Sequence, residues 1–124
     1  MGKFVVKATK TGFVFNLKAG NGEVIATSEI YTTEATCMKG VESVRKNAAD
    51  AKLEDQTVAE VAAVTNPKFE LYTDKADEFR FRLKARNGEI IAVSEGYKAK
   101  ASCLNGIDSV RRNAPDAAVE KPEG

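Results

Sequence analysis

Four cations alternate along one stretch of this sequence: Arg80, Arg82, Lys84 and Arg86. In a strand, a period of two puts all four side chains on one face, spread over roughly 20 Å at about 3.3 Å per residue. Such a row can follow the phosphates of a nucleic acid. The corresponding residues earlier in the chain, Val14, Asn16, Lys18 and Gly20, form no such row. Glu89 and Glu95 are predicted to lie opposite Arg86 and Arg80, so cross-strand ion pairs account for half of it. Tyr72 is the one evident aromatic for base stacking, which gives single-strand binding little support. The same face is predicted to carry Ile25, Ile91 and Val93, and exposed apolar groups on a sheet mark partner surfaces. The candidate interaction surface is therefore Arg80, Arg82, Lys84, Arg86, Ile25, Ile91 and Val93. It reads as solvated surface, as a protein contact, or as a weak nucleic-acid or anion contact, with protein preferred over nucleic acid.

Catalytic chemistry finds little to work with. The chain has no histidine, which removes Ser-His-Asp and Cys-His catalysis. Two isolated cysteines, Cys37 and Cys103, make no zinc set. Either thiol could act as a nucleophile only with a depressed pKa, and both fall on an apolar stripe where burial has the opposite effect. Buried thiols in a reducing cytoplasm are the expectation, and a disulfide between them needs two adjacent helix starts. Ser28, Glu29 and Tyr31 recur as Ser94, Glu95 and Tyr97. They could orient a substrate; alternatively the serine satisfies backbone at a strand end while the tyrosine closes the core with its hydroxyl in water. Ser43, Arg45 and Asn47 recur as Ser109, Arg111 and Asn113. An anion site there competes with the favourable placement of arginine at a helix carboxyl end. No catalytic, cofactor-binding or metal-ligating residue is assigned, and a non-enzymatic module is expected.

These recurrences belong to one duplication. Residues 15–51 realign on 81–117 without a gap, with more than half of the positions identical. Residues 3–8 alternate as a half-buried strand, matched by 69–73. Phe13, Phe15, Leu17 and Ala19 share one face of a second strand, as do Phe79, Phe81, Leu83 and Ala85. Asn21-Gly22 and Asn87-Gly88 predict two-residue type I′ hairpin turns. That register turns Val24 and Ala26, or Ile90 and Ala92, to the core, and leaves Ile25 and Ile91 outside. Cys37, Val41, Val44 and Ala48 then recur at helical spacing, as do Cys103, Ile107, Val110 and Ala114. Helices are predicted over 33–46 and 99–112. Thr33 can cap the first while Ala99 cannot cap the second, and Asn47 and Asn113 are expected to end them. Gly40 and Gly106 in mid-helix imply a close approach. Leu53 and Val119 each fall in a short fourth strand. Thr57-x-x-Glu60 suggests a short capped helix in the connector, with strand as the alternative.

The expected organisation is one pseudo-twofold domain over 1–124: repeat 1 at 1–53, connector 54–67, repeat 2 at 68–119, and a charged, frayed tail at 120–124. A repeat of about 60 residues alone has a marginal core, so the two should share one. A net charge of +1 argues against a surface dominated by polyanion binding. No stretch approaches a membrane span, Met1-Gly2-Lys3-Phe4 does not read as a signal peptide, and Val6 stands where a myristoylation signal has Ser or Thr. A cytoplasmic monomer is expected.

The doubled pattern Phe-x-Leu-Lys-Ala-x-Asn-Gly-Glu-x-Ile-Ala-x-Ser-Glu-x-Tyr, followed by Gly-(Val/Ile)-x-Ser-Val-Arg-x-Asn, resembles the YegP-like family of small bacterial proteins, a domain of unknown function often found in tandem. The resemblance covers nearly the whole chain. It implies an α+β fold of tandem β-β-β-α-β repeats forming a single antiparallel sheet with two helices on one face and the terminal strands exchanged between repeats. It brings no activity, cofactor or catalytic residue with it. Arg86, Ala99 and Lys100 depart from the first copy at surface and cap positions.

Overall fold

The computed structural model describes residues 2–121. The elements run β1 (Lys3–Ala8), β2 (Phe13–Lys18), β3 (Val24–Thr27), α1 (Glu34–Ala48) and β4 (Lys52–Asp55), then β5 (Lys68–Thr73), β6 (Phe79–Lys84), β7 (Ile90–Val93), α2 (Lys100–Asn113) and β8 (Ala118–Glu120). All eight strands join one sheet in the order β4-β5-β6-β7-β3-β2-β1-β8. The two repeats meet at its centre, where Thr27 pairs with Val93. Each fourth strand crosses to the other repeat: β4 lies beside β5 and β8 beside β1. The six central strands are antiparallel as expected, but the exchanged strands run parallel to their neighbours. Strands β4 and β5 are joined by residues 56–67, a connection long enough to bring the chain back parallel where a tight hairpin could not.

Both helices cover one face, and the core between helices and sheet draws on both repeats. Phe4 and Phe15 meet edge to face at 5.8 Å, and Phe69 and Phe81 at 5.9 Å. Cys37, Val41 and Val44 descend from α1, and Cys103, Ile107 and Val110 from α2, all buried. Thr33 caps α1, accepting from the Thr36 N–H at 3.1 Å, whereas Ala99 makes no side-chain cap. Asn47 and Asn113 do not stop their helices in the left-handed region. Each turns its Nδ2 back to the serine four residues earlier, at 2.7 and 2.8 Å to the carbonyl.

The hairpin turns differ from the type I′ expectation. Gly22 N–H donates to the Ala19 carbonyl and Ala19 N–H to the Glu23 carbonyl, both at 2.9 Å. Positive φ belongs to Gly22 (+87°) and Gly88 (+84°), and not to Asn21 or Asn87. This is a type I turn closed by a glycine bulge, one residue longer than the two-residue loop. Lys18 therefore faces Val24 while Leu17 still faces Ala26, and Ile25 is the extra residue between them. Lys84, Ile90, Leu83, Ala92 and Ile91 repeat the arrangement.

The connector forms no helix. Strand β4 runs on to Asp55, and Thr57 spends its N–H and hydroxyl on the Asp55 carboxylate, at 2.9 and 2.5 Å, instead of capping a following turn. At the other end, Glu120 is held in β8 by Lys3 at 2.8 Å, so fraying does not begin there; of the predicted frayed tail, residues 122–124 lie outside the described residues.

Candidate functional site

The sheet face opposite the helices is the candidate surface, and the bulges decide who stands on it. Ile25 and Ile91, expected outside, are 6% and 5% exposed and belong to the core. Val24 and Ile90 take their places, with Ile90 42% exposed. Val93 stays on the outer face, half-buried opposite Arg82. Val5 and Val14 alternate with core residues and lie half-buried on that face too, as do Asn16 and Thr27, joined by a 3.0 Å hydrogen bond. At the seam between repeats, Thr27, Glu29, Ile90 and Val93 help line a shallow cavity of about 110 Å³.

The predicted cationic row holds for three of its four members. Arg80, Arg82 and Lys84 share the outer face of β6. Arg86 lies beyond the strand, in the longer turn, beside Ser43, Lys46, Asn47 and Asp50 on the helix side. The ion-pair partners also differ from the expected Glu89 and Glu95. Arg82 Nε meets Glu70 Oε1 at 2.5 Å, and Lys84 and Lys68 Nζ each lie 3.3 Å from Glu70 Oε2. Lys68 also binds Glu54 at 2.6 Å, and Arg80 binds Asp74 at 2.5 Å. Tyr72, the stacking candidate, has its ring covered by the Arg82 guanidinium at 4.4 Å.

Glu70, missed by sequence reasoning, is the centre of this network and only 3% exposed. Burial pushes its pKa up, but the donors Arg82, Lys84 and Lys68 outweigh burial and hold it below the ordinary range. The Lys68 ammonium, helped by the Gln56 amide and the Val64 N–H, holds Glu54 at about 2. The Arg80 guanidinium lowers Asp74. Four cations thus face three carboxylates. The signal was present: alternation in β5 puts Glu70 on the face of Lys68 and Tyr72, opposite Arg82.

The other chemical candidates resolve into structure. Ser28 Oγ accepts from Phe15 N–H at 2.9 Å and donates to the Glu29 carbonyl at 2.7 Å; Ser94 does the same with Phe81 and Glu95. Arg45 donates to the Pro115 carbonyl at 3.3 Å and lies over Phe4, while Arg111 donates to the Ala51 carbonyl at 2.8 Å and lies over Phe69. Each reaches the segment that enters the other repeat's exchanged strand. Both cysteines are free and buried; burial pushes Cys37 up and Cys103 to about 11. Among the described residues no cluster of His, Cys, Asp or Glu could hold a metal ion, and no helix is long and apolar enough to cross a membrane.

A family model described as "Domain of unknown function (DUF1508)" matches residues 8–55 and again 74–120, once per repeat. The chain belongs to this family. The UPF0339 protein in the ptx operon 5′ region of Stutzerimonas stutzeri is 40% identical over 119 residues, spanning 95% of this chain and 94% of that protein. A UPF0339 protein of Treponema denticola is 71% identical over 52 residues, which is 42% of this chain but 90% of that protein, the length of one repeat. The solution structure of yegP from E. coli, described as a protein of unknown function, has a TM-score of 0.80 at 35% identity, covering 99% of this chain and 94% of its own. That of a Shewanella oneidensis UPF0339 protein has a TM-score of 0.77 at 35% identity, covering 97% and 90%. The YegP-like resemblance and its α+β fold are thereby established, and the family is one of unknown function.

Proposed function

We propose that this protein is a small non-enzymatic binding module whose outer sheet face docks a protein partner. The observation that carries this reading is the composition of that face. Val5 and Val14, set among Lys3, Lys7 and Lys18, and Val93 and Ile90, beside the Glu70 network, are partly exposed apolar groups on that face, with the hydrogen-bonded Asn16–Thr27 pair between them. Protein interfaces of the non-obligate kind mix apolar and polar groups in this way. Both flanks carry a surplus of cations, so the fitting partner has an apolar patch edged with carboxylates. The network is ion-paired in the free protein, which reduces the ordering cost of binding.

A nucleic acid is the weaker alternative. Arg80, Arg82 and Lys84 are already engaged, the Tyr72 ring is covered, and Arg86 is elsewhere. Phosphates would have to displace Glu70 and Asp74 from their partners. The module is proposed to act in the cytoplasm as a monomer, because one chain supplies both exchanged strands and both acceptors. Light scattering that gives a concentration-independent dimer refutes the monomer.

The test is retention of partners by immobilised full-length protein, with and without nuclease and at two salt concentrations, beside Val14→Glu/Val93→Glu and Arg82→Glu/Lys84→Glu variants. A protein that survives nuclease and salt, and is lost with the valine variant, supports the reading. Material that disappears with nuclease and weakens steeply with salt favours nucleic acid. Retention unchanged in both variants overturns the face as a binding surface.

A further inference from the structure

The pseudosymmetry supplies an internal control for a second surface. On the helix side, α1 of repeat 1 runs beside the β6–β7 turn of repeat 2. Two depressions of about 540 and 240 Å³ lie between them, a third of about 460 Å³ lies on the adjoining surface of α1 itself, and Ser43 lines all three. All three are shallow and open to solvent. Lys39, Lys46 and Arg86 border the groove, and none is ion-paired among the described residues. The equivalent positions in the other half are Asn105, Arg112 and Gly20, and Arg112 is held by Asp108 at 3.0 Å. Glu42, Asp50 and Glu89 also line the groove, but Asp108, Asp116 and Glu23 match them, so the acids cancel in the comparison, and Glu42 is paired with Arg45 at 3.1 Å. Two unpartnered cations have been added on one side of a duplicated frame.

The neutral groups there are fixed as donors. Asn47 Nδ2 donates to Ser43 Oγ at 3.1 Å, so the Ser43 proton remains free. Asn87 Oδ1 accepts the Glu89 N–H at 3.0 Å, which leaves its own Nδ2 available. Cations with oriented hydroxyl and amide donors suit an oxyanion. The far end of the groove is lined by Ala35 and Met38, an apolar floor. We propose that this groove binds a small phosphorylated molecule, its phosphate among Lys39, Lys46, Arg86, Ser43 and Asn87, and its carbon body along Met38 and Ala35. This site is on the opposite side of the sheet from the proposed protein contact and stands or falls separately.

The test is an NMR titration of the labelled full chain with inorganic phosphate and with phenyl phosphate. The expected result is saturable shifts at Ser43, Lys46, Arg86 and Asn87 with both, extending to Met38 with phenyl phosphate, which binds the tighter. The Lys39→Asn/Arg86→Gly variant, carrying residues the other half already tolerates, should bind at least about tenfold more weakly. Non-saturating shifts, equal shifts around Ser109 and Asn21, unchanged affinity in the variant, or phenyl phosphate no tighter than phosphate each overturn the proposal.

Discussion

Arg111 leaves the second repeat to donate its Nη2 to the Ala51 carbonyl of the first, at 2.8 Å, with its guanidinium 5.2 Å above the Phe69 ring. Ala51 is the residue just before exchanged strand β4. The arginine therefore ties helix, core aromatic and exchanged strand together, and Arg45 does the same for Pro115 and Phe4 over a longer 3.3 Å bond.

Arg111→Ala should cost about 1–3 kcal/mol, the range for a charged hydrogen bond plus its packing. Arg45→Ala should cost less, because its carbonyl contact is longer and exposed. Lysine has neither the fork nor the planar face, so Arg111→Lys should recover little. Urea unfolding of the three variants checks the order; equal losses at both positions would contradict it.

Acid should loosen the outer face before the core. Glu54 sits at about 2 in the folded chain against an ordinary 4.5, and Glu70 is also lowered. A depressed folded pKa contributes stability that is complete above the unfolded value and is lost as pH falls toward the folded one. The loss for Glu54 therefore runs from about pH 4.5 down to about 2. Glu70→Gln should be less stable than the parent at pH 7 by about 1–3 kcal/mol, discounted for its partly exposed partners, and the gap should narrow with acid. Unfolding followed across that pH range checks this; a constant gap would mean the network contributes nothing.

Much of this was legible because the duplication repeats each signal twice. Strand alternation, helical stripes and a short fourth strand follow from residue spacing, whereas the exchange of those fourth strands is what the family resemblance implies. The outer face was misread at one place, the turn. Asn-Gly fits a two-residue loop, yet Gly20-Asn21-Gly22 and Arg86-Asn87-Gly88 close as three-residue loops in which only the last residue needs positive φ. One added residue turned Ile25, Ile91 and Arg86 to the other side, and the bulge then restored the pairing of Leu17 with Ala26. Local sequence cannot distinguish the two turns when either leaves the later register intact. Glu70 was overlooked for another reason: its partners come from both β5 and β6, and no single segment displays them together.

The mid-helix glycines offer a sharper test than helix propensity. Propensity alone says Gly→Ala gains about 1 kcal/mol. A Cβ on Gly40 would collide with the Tyr31 hydroxyl and stand 3.0 Å from the Phe15 ring, and one on Gly106 would stand 2.7 Å from the Tyr97 hydroxyl. Gly40→Ala should therefore destabilise by about 1–3 kcal/mol through overpacking, and Gly106→Ala by less. Adding Tyr31→Phe should return part of the loss at Gly40. Thermal melts that show Gly40→Ala stabilised would mean the tyrosine yields freely.

The corrected placement of Ile91 makes a decisive comparison with its neighbour but one. If the strand kept the two-residue-loop register, Ile91 and Val93 would both face water and glutamate would be tolerated at each. With Ile91 5% exposed in the core and Val93 half-buried opposite Arg82, the two must part company. Ile91→Glu buries an unpaired carboxylate and removes a packed side chain, which should cost more than about 3 kcal/mol or prevent folding. Val93→Glu places its carboxylate toward the Arg82 guanidinium and should stay within about 1 kcal/mol of the parent. Ile25→Glu should behave as Ile91→Glu does, because the first repeat carries the same bulge. Denaturation midpoints and the dispersion of amide resonances distinguish the cases, and a well-folded Ile91→Glu protein would restore the outer placement.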